Sequence, residues 1–124
     1  MIEGETVVPI ASPADIVIAR QLGRTLGASL GFSGTDLTLI ATAISELSRN
    51  IIDYAISGAI VMTIVEKSGR SGITIEARDT GPGIPDVSKA LGVGLSGVRR
   101  LMDEFEISSR AGEGTNVLVR KWVP

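Results

Sequence analysis

The sequence predicts a two-layer α+β fold in which the helices pack on one face of a mixed, mostly antiparallel β-sheet. The first observation behind this prediction is the order of the hydrophobic patterns along the chain, which is β, α, α, β, β, α, β, β. The second is that four strand-like segments form two pairs, each joined by a short turn that contains glycine. The third is the lack of any repeat, low-complexity tract or linker in 124 residues, which indicates one domain over residues 1–124.

The predicted structure starts with a short strand and a helix. The segment ETVVPI contains two β-branched valines and a proline that suits an edge or an end of a sheet. Ser12 then offers a helix cap, a proline follows at the first helical position, and Asp15 stands where a capping box places an acid. Gly31 is expected to end this helix. Its apolar positions recur at helical spacing and are Ile16, Ala19, Leu22 and Leu26.

A second helix is predicted from about Thr35 to Ser57, with Gly58 ending it. Its apolar residues alternate steps of three and four positions, so they form one stripe. This stripe consists of Leu37, Ile40, Ile44, Leu47 and Ile51. The segments AIVMTIVEK and SGITIEARD follow, are rich in β-branched residues and flank the short turn SGRSG. They predict an antiparallel hairpin.

The last third of the chain opens with a stretch rich in glycine and proline between Asp79 and Gly92. The segment GLSGVRRLMDEF then returns to helical spacing, and FEISSR and TNVLVRKW are strand-like segments around the turn AGEG. We therefore expect a third helix and a final hairpin.

Composition excludes several kinds of chemistry. The chain has no cysteine and no histidine, which removes disulfides, thiol nucleophiles, the usual general base and the usual zinc ligands. With 12 basic and 14 acidic residues the net charge is −2, so neither nucleic acid nor an anionic membrane is a favoured partner. No run of about 18 apolar residues occurs, and we expect a soluble, cytoplasmic protein.

The stretch ISELSRN places Glu46 and Asn50 four residues apart on the second predicted helix. Residues with this spacing project from one edge of a helix, so both side chains can reach a common point. Asp79 ends a predicted strand just before Gly81 and Gly83, where the backbone can approach a ligand closely and the acid can accept a hydrogen bond from an amine. Taken alone, each feature is more typical of a solvated helix flank or an ordinary tight turn.

Two glycine-rich motifs complete the set of candidates. GVGLSG contains Gly92, Gly94 and Gly97 at the start of the third predicted helix, where backbone N–H groups favour phosphate. Its GxGxxG pattern is weak evidence by itself, and it does not directly follow a parallel strand as the dinucleotide-binding fingerprint requires. GEGT ends at Thr115 between the last two strands, and it is a hairpin turn compatible with a further ligand contact.

Taken in this order, the four motifs resemble those of the GHKL superfamily of ATP-binding proteins, whose shared architecture is the Bergerat fold. The resemblance spans nearly the whole chain, and the ordered set is far more specific than any single motif. ELSRNI, EARDTGPGIPD and GLSGVRRLMDEFEI are most similar to the small bacterial serine/threonine protein kinases of the anti-sigma factor type, which include stressosome kinases. The resemblance implies ATP and Mg²⁺ as cofactors.

The resemblance also implies roles for individual residues. Asn50 corresponds to the asparagine whose amide oxygen ligates Mg²⁺ on the ATP phosphates, and Glu46 corresponds to the acid proposed as general base. Asp79 corresponds to the acid that binds the adenine amine, and Thr115 is expected to assist through its hydroxyl. The other nucleotide contacts implied are an adenine-pocket wall of Gly81, Gly83 and Ile84, and a phosphate contact at Gly92, Gly94 and Gly97.

The segment corresponding to the ATP lid is short. Only DVSKAL separates Pro85 from Gly92, whereas such kinases commonly have a longer lid. Either the glycines of GVGLSG hold the phosphates, or part of a longer lid is absent from this sequence.

The resemblance further implies a STAS-domain protein as substrate, either a stressosome scaffold or an anti-sigma antagonist. The kinase released by phosphorylation would then activate a downstream output enzyme, typically a PP2C-type phosphatase. Two alternatives stay open. One is an anti-sigma factor kinase that also sequesters a sigma factor, and the other is a noncatalytic module that responds to nucleotide through protein contacts alone.

Overall fold

The computed structural model describes residues 4–55, 58–79, 96–110 and 114–124, and its elements follow the predicted order. The strands are β1 (Thr6–Ile10), β2 (Gly58–Lys67), β3 (Arg70–Asp79), β4 (Glu104–Arg110) and β5 (Gly114–Trp122). The helices are α1 (Pro13–Leu30), α2 (Gly34–Tyr54) and α3 (Ser96–Leu101). The helices pack against one face of the sheet, which confirms the two-layer α+β class.

The five strands form one sheet in the order β1-β2-β3-β5-β4, and neighbouring strands are antiparallel at all four described pairings. The sheet that we expected to be mixed is therefore antiparallel throughout the described part of the chain. β5 lies between β3 and β4, because the second strand of the last hairpin pairs with β3. This order brings the end of β3 beside the start of β5, where Asp79 and Thr115 lie.

A two-residue turn closes the hairpin of β2 and β3. Ser68 and Gly69 both have positive φ, 54° and 78°, as a type I′ turn requires. The pairing continues along both strands to the opposite end of the hairpin, where Gly58 pairs with Asp79. This confirms the predicted hairpin and places Asp79 directly across from Gly58.

Both ends of α1 lie where the sequence predicts them. The Asp15 carboxylate accepts hydrogen bonds from the backbone N–H groups of Ala11 and Ser12, at 2.9 and 3.0 Å, which is the acid's half of a capping box. These two bonds hold the pKa of the Asp15 carboxyl below its usual range. Gly31 follows the helix with φ 94°, and its N–H donates to the carbonyl of Ala28.

The predicted end of the second helix is wrong by one turn. α2 ends at Tyr54, and the N–H of Ala55 still donates to the carbonyl of Ile51. Gly58 does not terminate the helix, because it is the first residue of β2. The apolar stripe predicted the helix itself correctly.

The third helix is also shorter than predicted. α3 ends at Leu101, whereas the helical spacing of the sequence continued to Phe105. Sheet pairing is the reason, because the N–H of Asp103 donates to the carbonyl of Arg120 over 2.9 Å and β4 then pairs with β5. Hydrogen bonds to the neighbouring strand thus replace those that a continued helix would make.

Close packing of α1 on α2 depends on two glycines. At Gly23, the side chain of Ile44 fills the space that a Cβ would take, and at Gly27 the Cδ2 of Leu37 does the same. Because the residue numbers rise along α1 as they fall along α2, the two helices run antiparallel.

The hydrophobic core lies between this helical layer and the inner face of the sheet. Each large apolar side chain buried here contributes about 1.5–3 kcal/mol of transfer free energy. The most completely buried are Ile10, Ile40, Ile44, Leu47, Ile51, Ile60, Met62, Ile73, Ile75, Val98 and Val119. Among the described helices, none is both long enough and apolar enough to cross a membrane.

Candidate functional site

Glu46 and Asn50 lie one turn apart on α2, as predicted. Their neighbours Leu47 and Ile51 are buried in the stripe that packs into the core. Glu46 and Asn50 are half-buried, so they lie on the flank of α2 where its packed face meets solvent. Neither side chain forms a hydrogen bond or an ion pair with another described residue. Both polar groups are therefore available to a ligand at this flank.

A hydrogen bond joins the two site residues that the sequence predicts on the sheet. Asp79 is the last residue of β3 and Thr115 is the second residue of β5. The backbone N–H of Thr115 donates to Oδ1 of Asp79 over 3.1 Å, and Thr115 is buried. The contact holds the Asp79 carboxylate at this end of the sheet. We predicted a role for the Thr115 hydroxyl, and that role stays a prediction because the described bond is made by its backbone.

Asp79 and Thr115 belong to the face of the sheet that meets the helices. Gly58 pairs with both Ile10 and Asp79, and Ile10 is completely buried in the core. Val117, two residues after Thr115, is buried in the same core. Since residues two apart in a strand point to the same face, this row points toward the helical layer.

Gly58 allows α2 to approach this row closely. A Cβ at Gly58 would lie 3.0 Å from both Cγ2 of Ile51 and Cβ of Asp79, and it would overlap the carbonyl oxygen of Arg78. The Cγ2 of Ile51 and the Cβ of Asp79 are thus separated by no more than twice 3.0 Å. Because Asn50 immediately precedes Ile51, the amide on α2 and the carboxylate on β3 belong to the same end of the fold.

Sequence reasoning missed this role of Gly58, which it interpreted only as the end of a helix. The signal in the sequence is a glycine at the start of a segment rich in β-branched residues, because a glycine in a strand often marks a close backbone approach.

Most of the predicted nucleotide contacts at glycine-rich segments lie outside the part of the chain that the structure describes. The predicted contacts at Gly81, Gly83, Ile84, Gly92 and Gly94 lie outside the described residues. Gly97 is the second residue of α3 and is exposed, and no atom of the described residues lies within 4 Å of the position of a Cβ. Its predicted phosphate contact stays a prediction.

The C-terminal end of the short helix α3 is held by packing in the core and by Lys121. Val98 and Met102 are buried in the core. The Lys121 ammonium donates to the carbonyl of Leu101 over 3.3 Å and lies 3.9 Å from Oδ1 of Asp36, in the first turn of α2. These contacts hold the end of α3 beside the start of α2.

The donor set at this end of the fold suits a metal ion that arrives with a nucleotide. Among the described residues, no group of three or more acidic, histidine or cysteine side chains could hold a metal ion. Mg²⁺ that is bound mainly through phosphates and water takes only one or two oxygen ligands from the protein. Asn50 is half-buried, and its side-chain amide carries an oxygen of the type that Mg²⁺ binds.

The chain is similar to known proteins over most of its length. Residues 35–124 match the family model of histidine kinase-, DNA gyrase B-, and HSP90-like ATPases. The chain is 48% identical to the serine/threonine-protein kinase RsbT of Bacillus subtilis, in an alignment that covers 96% of this chain and 97% of that protein. It is 33% identical to an anti-sigma F factor of Caldanaerobacter subterraneus subsp. tengcongensis, over 85% of this chain and 83% of the relative.

A solved structure shows the same fold. A chain in the crystal structure of the SiaB-SiaC complex from Pseudomonas aeruginosa superposes with a TM-score of 0.62, over 98% of this chain and 91% of that chain, at 12% sequence identity. The residues matched by the family model include Glu46, Asn50, Asp79 and Thr115. The chain therefore belongs to the histidine kinase-, DNA gyrase B- and HSP90-like ATPase family, in the group of serine/threonine protein kinases and anti-sigma factors that includes RsbT.

Proposed function

We propose that the chain uses ATP to phosphorylate a serine or threonine of a STAS-domain protein, either a stressosome scaffold or an anti-sigma antagonist. One observation carries the proposal: Glu46 and Asn50 lie on the α2 flank at the end of the sheet where Thr115 orients the Asp79 carboxylate. Similarity to a serine/threonine-protein kinase over 96% of the chain supports it.

The nucleotide would lie between α2 and the end of the sheet. Asp79 accepts a hydrogen bond from the adenine amine, and its bond to the Thr115 N–H keeps the carboxylate in a fixed orientation for that contact. Gly81, Gly83 and Ile84 form the adjoining wall of the base pocket in this proposal. Asn50 would supply one oxygen ligand to Mg²⁺, and the ion would neutralise charge on the phosphates.

Glu46 would serve the reaction at the other end of the nucleotide. The substrate hydroxyl attacks the γ-phosphorus in line, its proton passes to the Glu46 carboxylate, and the bond from the γ-phosphorus to the bridging oxygen breaks. ADP leaves with that electron pair. The half-buried position of Glu46, one turn before Asn50, suits a base that must meet a protein substrate.

Phosphorylation would also switch partners. A phosphoserine carries about two negative charges, which weaken the complex between kinase and substrate. The released kinase then binds and activates an output enzyme, a PP2C-type phosphatase in this proposal. We place these steps in the cytoplasm.

The test is phosphate transfer in a defined mixture. The purified chain, ATP, Mg²⁺ and a STAS-domain protein are incubated, and mass spectrometry follows the substrate. A gain of one phosphate on a serine or threonine, dependent on all four components, is expected. Tight binding of the STAS protein with no phosphate transfer would leave the noncatalytic nucleotide-responsive module as the function.

A second candidate function rests on the 33% identity to an anti-sigma F factor. In this alternative the chain phosphorylates its antagonist and also sequesters a sigma factor. Immobilised chain that retains a purified sigma factor, and releases it when the antagonist is added, would favour this alternative over activation of a phosphatase.

A further inference from the structure

We propose that Gly58 is a positioning residue for the nucleotide, because its missing side chain sets the spacing between the Asp79 carboxylate and the α2 segment that carries Asn50. This inference rests on the proposed use of ATP. It adds a residue that contacts neither the nucleotide nor the substrate and acts through its neighbours.

The first step of the argument is the crowding around Gly58. Three different groups converge on the place of a Cβ: the carbonyl oxygen of Arg78, the Cβ of Asp79 and the Cγ2 of Ile51, the last two at 3.0 Å. Cβ atoms of real residues seldom approach neighbours so closely. A methyl group at Gly58 therefore has to displace the end of β3, the α2 backbone near Ile51, or both.

The second step concerns what those neighbours hold. Asp79 is bonded through Oδ1 to the N–H of Thr115, so displacement of β3 at this point disturbs the orientation of the carboxylate. Ile51 follows Asn50 directly, so displacement of α2 moves the amide. Binding sites tolerate such movement poorly, because a shift of about 1 Å in a positioned group can reduce function roughly a hundredfold.

A matched glycine lies at the other end of the hairpin. Gly72 pairs with Val65 and Trp122 in the sheet, and a Cβ there would lie 2.8 Å from the carbonyl oxygen of Lys121 and from the Trp122 ring. Gly72→Ala therefore crowds the sheet as Gly58→Ala does, but without touching Asp79 or α2. Comparison of the two variants therefore distinguishes a general loss of stability from displacement of Asp79 and α2.

The experiment compares the two variants by calorimetry with Mg·ATP. We expect Gly58→Ala to weaken ATP binding roughly ten- to a hundredfold, and Gly72→Ala to leave the Kd within about twofold of wild type, although both unfold at lower temperature. A double-mutant cycle adds a measurement that a merely structural role would not change. In the Asp79→Asn background, Gly58→Ala should weaken binding far less than it does alone.

A measurement without nucleotide tests the same spacing directly. The NMR amide resonance of Thr115 should shift in Gly58→Ala and stay in place in Gly72→Ala, because only the first variant disturbs the acceptor of that N–H. If Gly58→Ala binds ATP as tightly as wild type and the Thr115 resonance is unchanged, the proposal is wrong. Wild-type chain that binds no ATP would instead overturn the proposed function, leaving the NMR comparison to decide the spacing.

A second pair of variants keeps the test decisive if Gly58→Ala does not fold. Ile51→Leu removes the Cγ2 that lies over Gly58 at nearly constant volume, whereas Ile51→Val retains it. Weaker ATP binding in Ile51→Leu, by about threefold or more, with Ile51→Val unchanged, supports the proposal. Equal affinities in the two variants contradict it.

Discussion

The carboxylate of Asp79, at the end of β3, accepts a hydrogen bond from the backbone N–H of Thr115 at the start of β5. The two residues are 36 positions apart in the chain and meet only because β5 pairs with β3. The bond orients a half-buried acid at the end of the sheet nearest to Asn50. In the proposed kinase, it prepares that acid to recognise the adenine amine.

Replacing Asp79 by asparagine should weaken ATP binding. The amide keeps an oxygen that can accept the Thr115 N–H but loses the charge, and a hydrogen bond to a charged group is worth about 1.5–3 kcal/mol. We expect the Kd for Mg·ATP to rise roughly 10- to 100-fold in calorimetry. Asp103→Asn is a matched control, because the Asp103 carboxylate also accepts a strand N–H, that of Trp122, at 2.8 Å. Equal losses in both variants would remove Asp79 from the base pocket.

Glu46→Gln should abolish phosphate transfer while ATP and the protein substrate still bind. Glutamine keeps the shape of the side chain but cannot take the hydroxyl proton, and general bases contribute about 10²- to 10⁴-fold to rate. Single-turnover transfer from labelled ATP to the STAS protein measures this directly. Glu66→Gln, an exposed glutamate near the turn of the first hairpin, serves as the control and should keep full activity. Persistent transfer by Glu46→Gln would show that another group accepts the proton.

Ser48→Ala should stabilise the fold. The Ser48 hydroxyl is completely buried and has no hydrogen-bond partner among the described residues, and an unsatisfied buried hydroxyl costs about 1–3 kcal/mol. We expect the free energy of unfolding in urea to rise by about 1 kcal/mol.

Ser45→Ala is the matched control for this measurement. Ser45 lies on the same helix, and its hydroxyl donates to the carbonyl of Ala41 over 2.9 Å. Both variants gain helix propensity, but only Ser45→Ala loses a hydrogen bond, so a gain in stability confined to Ser48→Ala indicates the unsatisfied hydroxyl. A Ser48→Ala variant less stable than wild type would reveal a buried partner, such as an ordered water.

The fluorescence emission of Trp122, the one tryptophan in the sequence, should change when Glu104 is protonated at acidic pH. Its indole N–H donates to the carboxylate of Glu104 over 2.7 Å, and this bond lowers the pKa of Glu104 below its usual range. The carboxylate therefore stays ionised at neutral pH, and the stability that the bond contributes is lost as pH falls through the lowered pKa. We expect the emission maximum to shift only below the pH range in which a glutamate usually titrates, because the pKa of Glu104 is lowered.

Two variants check the assignment of this titration. Glu104→Gln should abolish the change in Trp122 emission over that range, because the amide does not titrate. Glu106→Gln, on the same strand, should leave the titration as in wild type. A titration that survives in Glu104→Gln would assign it to another acid.

The sequence predicted the elements well where a strong local pattern is present. The stripe of α2 and the β-branched hairpin of β2 and β3 are both confirmed, because the periodic pattern of buried residues is visible in short segments of the sequence. The helix end near Ser57 and the third helix up to Phe105 are wrong. In the second case, pairing of β4 with β5 overrides helical spacing, and that pairing depends on residues far away in the chain.

One part of the candidate site could be predicted from the sequence and the other could not. Glu46 and Asn50 could be paired from the sequence, because four-residue spacing on a helix fixes their relation locally. The backbone contact between Thr115 and Asp79 could not, because it needs the strand order in which β5 lies next to β3.

The sequence by itself determined the α+β class, the order of the elements and the two polar residues on one flank of α2. Only the tertiary structure decided that the sheet is antiparallel at every described pairing, and that Asp79 faces the helical layer bonded to Thr115. It also decided that Gly58 lies beneath Ile51. The physical reason is range: helical periodicity and turn chemistry act between neighbours, whereas strand order and the approach of a helix to a sheet depend on packing between distant segments.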